Sequence, residues 1–86
     1  MASFVIEVYW PGMTRPLVDD LVDRIRNGAG KPASGVRYIA CTVAPRDEVC
    51  FVRVHATSQG DVDALVDRLA LRGARVSETV DISGTR

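Results

Sequence analysis

His55 is the chain's single histidine, and imidazole is the one side chain that titrates near neutrality without help from its surroundings. In an enzyme it would act as a general base, oriented by the Glu7 carboxylate, with Arg53 or the Tyr38 hydroxyl stabilising a developing anion. That chemistry suits a cofactor-independent monooxygenase or isomerase working on a small organic substrate. The favoured alternative is a hydrogen-bonded histidine at a subunit interface, because a fold confers no activity by itself. Glu7 and Arg53, on neighbouring strands, would equally form a structural ion pair under a partner subunit. Tyr38 over Arg53 would form a cation–π pair that only stiffens the sheet.

Metal chemistry has few ligands to draw on. One histidine and two cysteines do not supply a closed zinc set. A weaker site would use His55 with Glu7 or Asp81, particularly where two subunits contribute ligands. Cys41 and Cys50 are too few for a disulfide scaffold and do not form a CxxC pair. They read as buried thiols acting as small apolar fillers. Gly28-Ala29-Gly30-Lys31 lacks the full phosphate-loop spacing and has Pro32 where Ser or Thr is needed, so that motif is rejected.

The elements that must carry these residues follow from periodicity. Phe4, Ile6, Val8 and Trp10 alternate with Val5, Glu7 and Tyr9, the period-two pattern of a strand. Pro11-Gly12 breaks it, and Thr14 followed by Pro16 opens a helix whose apolar stripe is Leu17, Val18, Leu21, Val22 and Ile25. Asn27 to Gly35 reads as a loop, Val36–Val43 as the second strand, Ala44–Asp47 as a turn and Val49–Ala56 as the third strand. Ser58 caps a second helix striped by Val62, Leu65, Val66 and Leu69 and ended by Gly73. Val76–Ile82 is the fourth strand, and residues 83–86 form a tail.

Val18–Ile25 and Val62–Leu69 are near-copies, matching at six of eight positions. Each copy is flanked by strands, so the order is βαββαβ. Right-handed crossovers then place both helices on one side of a four-stranded antiparallel sheet, the ferredoxin-like α+β arrangement. A turn centred between Pro45 and Arg46 would set Cys41 opposite Cys50 and Tyr38 opposite Arg53. The wholly apolar set of the first strand belongs under the helices. The open face would then collect Glu7, Tyr9, Tyr38, Phe51, Arg53 and His55, with Ser77, Thr79 and Asp81 from the last strand. An uncovered face with that much aromatic area is expected to meet a ligand or a second copy.

The 86 residues make one domain. Eleven basic residues balance eleven acidic ones, which excludes nucleic acid and acidic membrane as main partners, since both need a basic patch. The first residues enter a strand at once, and no apolar run reaches the length of a membrane span, so a soluble cytoplasmic protein is expected.

Phe4-Val5-Ile6-Glu7 with Pro11-Gly12, Val36-Arg37-Tyr38, Cys50-Phe51-Val52 and Ala74-Arg75-Val76-Ser77-Glu78 resembles a family of small bacterial proteins of unknown function. That family includes a nickel-binding, nickel-responsive member with a dimeric ferredoxin-like fold. The resemblance covers most of the chain, and Glu7 matches the family's strand-one glutamate. Ala40 and Val66 (or a neighbour of Val66) stand where family members carry histidines, so those ligands have no counterpart here. The resemblance implies a homodimer packed sheet to sheet as an α/β barrel, with nickel as a ligand. The expectation is a non-catalytic protein binding a small ligand or a divalent metal on the open face through Glu7, Tyr9, Tyr38, Phe51, Arg53 and His55. The enzyme described above and a purely structural interaction module are the alternatives.

Overall fold

Alternation in the first strand decides which side of the sheet is covered. In β1 (Ala2–Tyr9), Phe4, Ile6 and Val8 are buried, while Val5 and Glu7 between them are half-buried and Tyr9 is exposed. The computed structural model describes residues 1–29, 35–80 and 82. After β1 come α1 (Arg15–Ala29), β2 (Val36–Ala44), a 3-10 turn (Pro45–Asp47), β3 (Val49–Ala56), α2 (Gln59–Arg68) and β4 (Arg75–Thr79). The sheet is antiparallel in the order β2-β3-β1-β4, the ferredoxin-like arrangement. Leu21 and Ile25 of α1 and Val62 and Leu65 of α2 complete one core with Phe4, Ile6, Val52 and Val54. The thinnest dimension is 19 Å, that of one helix layer on one sheet, and among the described residues both helices pack on the Phe4 and Ile6 side.

Short-range chemistry accounts for the helix ends. Gly12 has φ +76°, and the Met13 N–H donates to the Trp10 carbonyl over 3.2 Å. Pro11-Gly12 is therefore a type II turn, which requires positive φ at its third residue. Thr14 caps α1, its hydroxyl accepting from the Leu17 N–H at 3.4 Å. Ser58 caps α2 by accepting from the Asp61 N–H at 3.3 Å. The second helix ends earlier than its stripe suggests, before Gly73. Ala70 takes a left-handed φ of 55°. Its N–H donates to the Asp67 carbonyl while the Leu71 N–H donates to Val66, a Schellman pattern with alanine where glycine is usual.

Three other expectations are corrected. Asn27, Gly28 and Ala29 belong to α1, not to a loop. A Cβ on Gly28 would lie 2.9 Å from Leu65 Cδ1, so this glycine serves close helix–helix approach. β4 stops at Thr79 and not at Ile82, because Thr79 already pairs with Ser3 near the start of β1. Val80 and Ile82 are then strongly exposed.

The third correction is the β2–β3 register. The turn spans four residues, with Glu48 at φ 55°, so Ala44 pairs with Val49, Val43 with Cys50 and Cys41 with Val52. This shift of two residues preserves the faces, since side chains alternate with period two. A bulge between Tyr38 and Ala40 then shifts the ladder by one residue, pairing Tyr38 with Val54 and Val36 with Ala56. That odd step turns Tyr38 and Val36 to the helix side. Residues 30–34, which include part of the expected loop and the rejected Gly-Lys motif, lie outside the described residues, as do residues 83–86.

Candidate functional site

The open face is built as four cross-strand rows. Arg37, His55, Ser3 and Thr79 form the first row, and Ala40, Arg53, Val5 and Ser77 the second. Thr42, Phe51, Glu7 and Arg75 form the third, and Val49 and Tyr9 close the far end. Five of the six expected ligand-binding residues therefore share this surface: Glu7, Tyr9, Phe51, Arg53 and His55. Tyr38 does not. It lies on the helix side, where the Arg26 guanidinium sits 5.9 Å from its ring centroid. The expected Tyr38–Arg53 cation–π pair is thus replaced by one with α1. Asp81 lies outside the described residues.

Spacing along the strands limits what one chain does with these groups. His55 stands opposite Ser3, and Glu7 is four residues further along β1. At about 3.3 Å per residue the two are separated by about 13 Å, so one subunit does not let Glu7 orient His55 or join it on a metal ion. Glu7 faces Phe51 on one side and Arg75 on the other, while Arg53 lies on a diagonal from it. Among the described residues the one ion pair is Arg15 Nε to Asp19 Oδ1 at 3.0 Å, on exposed α1. Between Ser3, Ile39, Arg53 and His55 the face has a recess of about 30 Å³, roughly the volume of one water molecule. Among the described residues no group of three or more His, Cys, Asp or Glu is arranged to hold a metal ion.

The larger concavity is on the opposite side of the sheet. A cleft of about 560 Å³ runs between the first turns of α1 and the edge strand β2, bordered by Met13, Val18, Val22, Tyr38, Cys41 and Val43. Sequence reasoning missed it, because residue 13 is far from residues 38–43 in the chain and no periodicity links them. The one available signal was Pro11-Gly12, whose turn folds Met13 back toward the sheet. The cleft wall is desolvated enough to alter its acids. Burial, chiefly, pushes the Cys41 thiol up to about 11, with Cys50 beside it adding to the effect. The Tyr38 phenol is raised by burial first and by Cys41 second, with Arg26 opposing. Both cysteines are free thiols, protonated and poorly nucleophilic at neutral pH.

Among the described residues no helix is long and apolar enough to cross a membrane. No family model matches the chain, and no curated protein or solved structure shows significant similarity to it.

Proposed function

We propose that this protein is a non-catalytic binding module that works as a homodimer, two copies closing their open sheet faces over a shared ligand site. The observation that carries this reading is the uncovered face itself. Val5, Glu7, Phe51 and His55 are half-buried with no element of the described residues above them, and Tyr9 is 62% exposed. A small domain gains stability by covering such a surface. Closing the face also answers the spacing problem. A two-fold axis between the sheets, crossing the strands at the Val5–Arg53 row, lays each Glu7 beside the row that holds the partner's His55. The pair that is about 13 Å apart within one chain then meets between chains, flanked by Phe51 and Arg53. Such a composite site suits a small ligand with both acidic and apolar parts, or the divalent nickel that the family resemblance implies.

Light scattering at micromolar concentration tests the first half, with a dimer expected for the wild type and a monomer for Phe51→Asp. An amide-resolved NMR titration with nickel at neutral pH tests the second. Broadening centred on His55 and Glu7 together, lost in His55→Ala, supports the composite metal site. A dimer that ignores nickel directs the search to small organic ligands. A wild-type monomer overturns the reading.

A further inference from the structure

The helix-side cleft holds chemistry that the open face does not use. Two sulfur atoms, of Met13 and Cys41, line it, and a third, of Cys50, lies buried beside Met13. The Pro11-Gly12 turn delivers Met13 over β3, where the Cys50 thiol donates to the Met13 thioether across 3.7 Å. Cys41 lies on the same side of β2, one diagonal step from Cys50 across the ladder, close enough that Cys50 helps to hold the Cys41 thiol protonated. The three sulfurs are therefore neighbours, one contact and one diagonal step apart. Cys50 is sealed from solvent at 0% exposure, whereas Met13 and Cys41 line the cleft and are reached from it.

We propose that Met13, Cys41 and Cys50 form a three-sulfur site for a soft monovalent metal ion, cuprous copper in particular. The Cys50–Met13 edge of that set is already at the length a bound ion would require. Sulfurs held at about 2.3 Å from one ion lie about 3.8–4.0 Å from each other in tetrahedral or trigonal arrangements, against 3.7 Å between Cys50 and Met13. Ligand type selects the metal: thiolate and thioether sulfur favour copper(I), while carboxylate and imidazole favour harder ions. Zinc would need a fourth donor, and the carboxylate bordering the cleft, Asp19, is tied to Arg15 at 3.0 Å. Binding exchanges two protons for one copper(I), one leaving each thiol, with no change in oxidation state. The resulting single negative charge lies on the same side of the sheet as Arg26, which stands over Tyr38 in the cleft wall. This site is independent of the proposed dimer face and of nickel.

The test titrates fully reduced protein, without oxygen, against a chromophoric copper(I) chelator. The wild type is expected to withdraw one copper per chain, with X-ray absorption showing a shell of three sulfurs. Met13→Leu conserves core volume and is expected to weaken binding by about 10- to 100-fold, the scale on which even supporting groups of metal sites act. Cys41→Ser, at the accessible side of the site, is expected to abolish tight binding, and His55→Ala to leave it unchanged. Circular dichroism of each variant establishes that it is folded. Failure of the wild type to take copper overturns the proposal. So does wild-type affinity in folded Met13→Leu, or copper lost in His55→Ala.

Discussion

The two faces of the sheet are made by alternate residues of the same strands, yet they treat chemistry in opposite ways. On the covered face, Ile6, Val52 and Cys50 are fully buried, and a turn from outside the sheet adds Met13 to them. Functional atoms there are few but touch. On the open face, Glu7, Arg53 and His55 are more reactive types, but the rows hold them apart. A sheet surface spaces its side chains by the strand repeat, so convergence needs a second layer. The helices and the Pro-Gly turn supply that layer on one side, and the proposed second copy supplies it on the other.

Truncating neighbouring residues of β1 separates the two faces most strongly. Ile6→Ala should cost about 2–5 kcal/mol by leaving a cavity in the core. Val5→Ala, one residue away on the open face, should cost about 1 kcal/mol or less. Denaturant melts measure both, and equal losses would mean that the open face is packed as a core. Phe51→Asp should halve the mass seen by light scattering while its monomer keeps a native circular dichroism spectrum. Unfolding instead would show that Phe51 supports the fold and not an interface.

Alkaline titration sharpens the contrast from the covered side. The folded state holds the Cys41 proton until about pH 11, against an ordinary value of 9.0. Between these values the unfolded chain binds fewer protons than the native one, so stability falls as pH rises through that window. Cys41→Ser should flatten the fall in melting temperature over that range. The smallest effect separates two arginines. Arg26→Ala should cost about 0.5 kcal/mol through its exposed cation–π contact with Tyr38, and Arg53→Ala should leave the environment of that ring unchanged. Tyrosine fluorescence and thermal melts distinguish the two variants.

Much of this architecture was legible in the residues. The alternation of Phe4, Ile6 and Val8 against Val5 and Glu7 named the buried side of β1 correctly, because a half-buried strand must alternate. Thr14 and Ser58 marked both helix starts, since the side-chain oxygen that caps a helix is a local interaction. The candidate site was legible only as a set of residues on a face. Tyr38 was misplaced because a bulge of one residue inverts a strand's sidedness without leaving a mark in its pattern. Glu7 and His55 looked like partners because residue type says nothing of position along two paired strands.

The order of elements, the wrapping of two helices on one side, and the covered faces of β1 and β3 could all be read from the residues alone. These follow from period, capping and chain connectivity, which act over a few residues. The four-residue turn that slid β2 by two, the bulge that carried Tyr38 to the helix side, and the meeting of Met13 with Cys50 emerge from the folded chain. Each depends on how far one element is displaced against another. Displacement is set by packing of the whole core, which no local pattern encodes.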